Sequence, residues 1–148
     1  MKDLPTLDES LKKEIANLTL HIKDDLLSGA AEIALRAISV FQTVLALESI
    51  KDYQMAKAAL VETSRDLIDV QPAMAPLFHL GNSVLNAIES AKSMDEVKEA
   101  TNNALTKFES MLCASAATIA DLAYDLIDPG ELIFAYSFVE SVAVKNRA

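Results

Sequence analysis

The chain is poor in several residue types: its 148 residues include one cysteine, three glycines, four prolines and no tryptophan. A single cysteine excludes an internal disulfide framework. So few glycines and prolines leave too little turn material for an all-β fold. Aromatic residues make up only 5% of the chain, whereas hydrophobic residues make up 51%. This aliphatic composition, in a chain long enough to bury a core, indicates an all-α fold.

Basic residues are also scarce. The chain has 13 Lys and Arg against 22 Asp and Glu, for a net charge of -9. Such a surface opposes the neutralisation of nucleic-acid phosphates. The uncharged run from about Met111 to Ala120 is too short to span a membrane. The first residues lack the apolar segment of a signal peptide. We therefore expect a cytoplasmic protein that binds neither nucleic acid nor a membrane.

Hydrophobic periodicity predicts a bundle of about five helices. They are expected near residues 7–25, 30–49, 49–69, 76–92 and 93–127, with apolar side chains at three- and four-residue spacing. Ser93 and Glu96 form a capping box before the last helix. Because no charge occurs between Met111 and Ala120, we expect the middle of that helix to be enclosed on all sides and to form the spine of the bundle.

The last segment, residues 128–148, differs from the rest in its predicted secondary structure. An Asp-Pro-Gly turn at residues 128–130 precedes a short apolar run, residues 132–137, which predicts a β-strand. Ser137 and Glu140 then have the spacing that caps a new helix. One strand cannot form a sheet, so we expect a helical bundle over residues 1–127, and over residues 128–148 the beginning of an α/β domain that is otherwise absent.

Few residues suggest chemistry. His21 and His79 lack neighbouring ligands, so no metal site is predicted, and Cys113 is expected to be a small buried residue rather than a nucleophile. No glycine-rich phosphate motif occurs, and neither a cofactor nor a catalytic residue is predicted. Gly29 and Ser137 each precede a predicted helix, where free N–H groups favour an anion.

Three segments in order resemble the alpha, beta and delta regulatory subunits of initiation factor two-B, a nucleotide exchange factor of translation initiation. Residues 25–37, with the sequence Asp-Leu-Leu-Ser-Gly-Ala-Ala-Glu, resemble the start of that family's second helix. Residues 71–77 are similar to its Arg-Pro-Ser-Met-Ala-Pro linker, and residues 128–137 to the turn and first strand of its Rossmann-like domain. The resemblance implies a helical domain followed by an α/β domain, oligomerisation, and a sugar-phosphate or nucleotide pocket between the domains.

Related enzymes include the isomerases of methylthioribose 1-phosphate and ribose 1,5-bisphosphate. The resemblance places Ser137 where these isomerases have a catalytic cysteine, and a hydroxyl is a poorer acid or base than a thiol. It also places Ser28 and Gln71 where phosphate-binding arginines are expected, which removes two charges. The resemblance thus implies ligand-binding positions at Ser28, Gly29, Gln71 and Ser137, but no isomerase activity.

Three hypotheses follow. The first is a non-catalytic helical domain of a regulatory subunit, which acts by contact with protein partners or itself, or by weak binding of a phosphorylated small molecule. The second is part of a divergent ribose-phosphate isomerase that requires a partner chain. The third is an unrelated helical adaptor, for which the family likeness would be accidental.

Overall fold

The computed structural model describes residues 4–25, 27–128, 130 and 132. Within these residues the chain forms five α-helices and no strand, which confirms the all-α prediction. The helices are α1 (Glu9–Lys23), α2 (Ala30–Leu45), α3 (Tyr53–Val70), α4 (Ala75–Ile88) and α5 (Met94–Tyr124). The predicted α2 and α4 are each about four residues too long at their C-terminal ends.

Side-chain caps fix where three of the helices begin. The Asp8 carboxylate accepts a hydrogen bond from the Leu11 amide at 2.7 Å, and the Asp52 carboxylate caps α3 in the same way. The predicted capping box at α5 is formed, since the Ser93 hydroxyl accepts from the Glu96 amide at 3.2 Å. The Glu96 carboxylate turns back to the Lys92 amide at 2.7 Å, one residue before the usual position. These starts are therefore set by local sequence.

The centre of the bundle is formed by α2 and α3. Each of them contacts all four other helices, whereas α5 packs on α2, α3 and α4. The prediction that α5 is the spine is therefore wrong. The core itself is aliphatic, with Phe41, Leu60 and Leu80 among its fully buried side chains.

The second half of α5 extends beyond the bundle. Its buried residues lie between Val97 and Phe108, and from residue 109 onward Ala120 alone is buried among the described residues. The prediction that residues 111–120 are enclosed on all sides is therefore wrong, and Cys113 is exposed rather than buried. The cause is length: α5 has 31 residues, whereas α3 and α4 have 18 and 14. At about 1.5 Å per residue, its partners end long before it does.

A close approach of α3 and α4 depends on Gly81. A Cβ atom built on Gly81 would lie 3.2 Å from the Ser64 Cβ and 3.3 Å from its Oγ. The Ser64 hydroxyl is itself fixed, because it donates to the Leu60 carbonyl at 2.8 Å. The two helices are therefore in contact through the smallest residue available at this position.

The predicted turn after α5 is confirmed at Gly130, which has a φ of 94°, in the left-handed region that favours glycine. Leu132 is exposed and lies outside regular secondary structure. The remainder of the predicted strand, residues 133–137, and the helix that Ser137 was expected to cap lie outside the described residues.

Gly81→Val is expected to lower the free energy of unfolding by about 1–3 kcal/mol, because the added methyl groups must displace α3. Asn82→Val is the matched control, since Asn82 is the exposed neighbour on the same helix and should change stability by no more than ~0.5 kcal/mol. Urea denaturation of both variants provides the measurement. If both variants lose the same free energy of unfolding, the contact with Ser64 does not restrict the size of the side chain at position 81.

Candidate functional site

The structure brings together three of the four predicted ligand-binding residues. Ser28 and Gly29 lie in the loop between α1 and α2, and Gln71 is the residue that follows α3. Ser28 and Gln71 both hydrogen bond to Asp25, which connects the two segments. Ser137 lies outside the described residues.

Asp25 organises this region, and we refer to Asp25, Ser28, Arg36 and Gln71 as the Asp25 cluster. One carboxylate oxygen of Asp25 accepts from the backbone amides of Leu27 at 3.1 Å and Ser28 at 2.9 Å. The other accepts from the Arg36 guanidinium at 2.7 Å. The Asp25 side chain is only 8% exposed. Both of its carboxylate oxygens therefore accept hydrogen bonds from groups of the protein itself.

These hydrogen bonds favour the ionised form of Asp25. Donation from the Ser28 side chain and then from its backbone amide lowers the pKa of Asp25 from 3.8 to about 2, with smaller contributions from the Leu27 amide and the Arg36 charge. Burial opposes this shift, but the donors outweigh it. Asp25 is therefore a carboxylate throughout the physiological pH range and is unsuited to act as a general acid.

Gln71 joins the end of α3 to the end of α1. Its side-chain amide nitrogen donates to the carbonyls of Ile22 and Asp25, both at 3.1 Å. The Ile22 carbonyl lies in the last turn of α1, where it also accepts from the Asp25 backbone amide at 3.3 Å. Gln71 thus acts as a helix cap supplied from a distant part of the chain, and both donor hydrogens of its amide are occupied.

The start of α2 carries excess negative charge. Gly29 precedes the helix without a side-chain cap, so backbone N–H groups of the first turn are open to an anion. However, Glu32 lies in that turn, and Arg36 is bound to both Glu32, at 2.7 Å, and Asp25. Two carboxylates therefore surround one guanidinium. A phosphate at Gly29 would meet like charge rather than a free cation.

Sequence reasoning missed Asp25 and Arg36 as functional neighbours of Ser28. The signal for Asp25 was present, because an Asp in a loop commonly accepts from the backbone amide two residues later, as in an Asx turn. The partnership with Arg36 spans 11 residues across a helix start, and the spacing alone does not specify it.

A second candidate site is a line of side chains along α5, which we call the α5 seam. Its members alternate at four- and three-residue spacing, as in a heptad pattern: Val97, Thr101, Ala104, Phe108, Met111, Ser115, Thr118 and Leu122. The first four are buried in the bundle, and the last four, which we call the outer seam, are exposed. Within the part of the chain that the structure describes, this helix face is therefore covered over its first half only.

The outer seam carries no charge, and a large apolar side chain lies at each of its ends. Met111 is 51% exposed and Leu122 is 64% exposed, and Ile119 beside them is 55% exposed. Ala120, the buried residue of this half, lies nine positions after Met111 and hence on the opposite side of the helix. A group of large exposed apolar side chains is typical of a surface that another protein covers.

Other kinds of site find little support in the part of the chain that the structure describes. No group of three or more His, Cys, Asp and Glu is placed to hold a metal ion there. Among the helices of those residues, none combines the length and the apolar character that crossing a membrane requires.

Asp25→Asn tests the role of Asp25 in fastening the loop. Because the folded-state pKa of Asp25 is about 2, below the value of 3.8 for a free side chain, its stabilisation is complete above about pH 5 and is lost as pH falls through 2. We expect Asp25→Asn to be less stable than the wild type at pH 6, with the difference shrinking towards pH 2. Asp24→Asn, at the exposed C-cap of α1, is the control. Chemical denaturation at several pH values measures both, and a difference independent of pH would contradict the role of the Asp25 charge.

One comparison with known proteins agrees with the resemblance of the three segments. A family model described as the Initiation factor 2 subunit family matches residues 26–146. No curated protein and no solved structure matches the chain significantly. The family match covers most of the chain and includes the positions of Ser28, Gly29, Gln71 and Ser137. It excludes the hypothesis that the family likeness is accidental. The chain belongs to the Initiation factor 2 subunit family.

Proposed function

We propose that this chain is a non-catalytic helical domain of the regulatory type within its family, and that it acts in the cytoplasm, in translation initiation, by contact with another protein chain. The observation that carries the proposal is the outer seam of α5, where Met111 and Leu122 are exposed in line with buried residues of the same face. Residues 128–148 are proposed to begin the Rossmann-like domain of the family.

The outer seam has the energetic properties of an interface centre. Burying a side chain the size of Met or Leu contributes about 1.5–3 kcal/mol relative to leaving it exposed. No charged residue lies between Glu109 and Asp121, so a partner would not have to desolvate a charge at the centre of the contact. A partner helix placed there would continue the packing that ends at Phe108.

The Asp25 cluster supports a structural role more than the weak binding of a phosphorylated ligand. Arg36 is shared by two carboxylates, and Gln71 donates both hydrogens of its amide to backbone carbonyls. A phosphorylated ligand would have to break these contacts or bind without them. We therefore favour protein contact as the mode of action over ligand binding at Ser28 and Gly29.

The outer-seam proposal is tested with Met111→Glu/Leu122→Glu, whose wild-type side chains are both exposed, so the helix should remain folded. Binding is measured by titration calorimetry against purified regulatory subunits of the same family and against the wild-type chain. We expect the double variant to lose at least about tenfold in affinity, roughly 1.4 kcal/mol. Asn103→Glu/Thr106→Glu, exposed on the first half of α5, is the control and should bind normally. Equal affinity of the double variant and the wild type would contradict the proposal.

The enzyme hypothesis is tested by turnover. Ribose 1,5-bisphosphate and methylthioribose 1-phosphate are supplied to the chain with and without family partner subunits, and isomerisation is followed by NMR. We expect no turnover above the uncatalysed rate, because a serine hydroxyl replaces the thiol expected at residue 137. Reproducible turnover that disappears in Ser137→Ala would overturn the non-catalytic assignment.

A further inference from the structure

The outer seam is suited to contact with a second copy of this chain in one relative orientation. We infer that the outer seam binds the outer seam of a second copy of this chain, with the two α5 helices antiparallel. The inference rests on the proposed function, since it uses the same surface, and it specifies the partner.

The bundle itself determines the relative direction of the two helices. In each copy the seam faces the bundle from Val97 to Phe108 and faces solvent from Met111 onward. If the helices ran parallel, both bundles would lie at the same end and would occupy the same space between them. In the antiparallel arrangement, the outer half of each α5 lies where the partner's bundle has ended. Of the two arrangements, the antiparallel one separates the parts of the two bundles that the structure describes.

The side chains of the outer seam are self-complementary in that direction. An antiparallel two-fold axis midway along the outer seam places Met111 opposite Leu122 of the second copy, and Ser115 opposite Thr118. Large side chains then meet at both ends, and small ones let the helices approach closely at the centre. The Thr118 hydroxyl already donates to the Ala114 carbonyl at 3.0 Å, so it requires no partner across the contact. The paired length from Met111 to Leu122 is about 17 Å.

Charges on the flank of α5 match the same register. Lys107 and Asp125 are exposed and lie 18 residues apart, which is five helical turns, so they are on the same side of the helix. Asp125 is the C-cap of α5 and keeps right-handed helical backbone angles. A two-fold axis perpendicular to the helices brings equal flanks together, so Lys107 of each copy lies near Asp125 of the other. In a parallel two-fold pair, the flank that carries Lys107 and Asp125 would face the opposite flank of the second helix, so these two residues would not meet.

The uncharged centre of the contact also suits a second copy. The chain carries a net charge of -9, which opposes its self-association in general. Between Glu109 and Asp121 there is no charge, so the two copies meet where repulsion is smallest. The short paired length indicates a transient dimer rather than a permanent one.

Exchange of the flanking charges tests the register. Sedimentation equilibrium is measured for the wild type, Lys107→Asp, Asp125→Lys and the double variant Lys107→Asp/Asp125→Lys. The wild type is expected to form dimers at micromolar concentration, and each single variant to associate roughly fivefold to tenfold more weakly, because two symmetry-related pairs become repulsive. The double variant restores opposite charges and should return to within about twofold of the wild type. Lys98→Asp, exposed on the first half of α5, should associate like the wild type.

Three outcomes would overturn the inference. The first is a wild-type chain that remains monomeric to about 200 µM, and the second is a dimer whose association none of the charge changes affects. The third is a double variant that associates no more tightly than the single variants. Circular dichroism verifies that each variant is folded. A monomeric chain that nevertheless binds another regulatory subunit through Met111 and Leu122 would reject the second copy and leave the proposed function intact. A chain that binds neither would reject both.

Discussion

The unequal length of the helices is the constraint on which the rest of the structure depends. With 31 residues, α5 is about twice as long as α4, on which it packs, so the bundle can cover only the first half of its seam. The heptad-like spacing continues unchanged past Phe108, and Met111 and Leu122 are exposed in the same line. Covering an apolar face that continues beyond its own core is favourable, because it removes that surface from water. The proposed function and the proposed dimer both follow from this geometry.

The Asp25 cluster shows how a position associated with ligands can serve the fold instead. In the family resemblance, Ser28 and Gln71 stand where arginines would bind phosphate. Here Gln71 caps α1, and Ser28 donates to Asp25, whose pKa falls to about 2 as a result. The cluster joins the end of α1, the start of α2 and the end of α3 through hydrogen bonds. In this chain, both residues therefore make hydrogen bonds within the fold.

Much of the fold was predictable because it depends on local chemistry. The five helices, the Ser93 capping box, the start of α4 at the proline-containing segment and the Gly130 turn all depend on residues a few positions apart. Helix ends were less accurate, because the last turn depends on packing as well as on sequence. The domain boundary near residue 128 stays a prediction.

The burial of α5 could not be read from the sequence. An uncharged run indicates that a segment is apolar, but it does not indicate whether another helix packs against that segment. The contact of Gln71 with Ile22 spans 49 residues, and no local pattern specifies such a contact. For the same reason, the sequence indicated Ser28 and Gly29 but did not reveal that Arg36 is held by Asp25 and Glu32.

Hydrogen–deuterium exchange along α5 at increasing protein concentration tests the central claim most directly. The amides of residues 94–108 lie in the half of the helix that the bundle covers, so they should be protected at every concentration. The account predicts that residues 111–124 exchange faster in dilute protein and become protected as the concentration rises or a partner subunit is added. If residues 111–124 exchange at one rate under all of these conditions, the outer seam is not an interface and the account is contradicted.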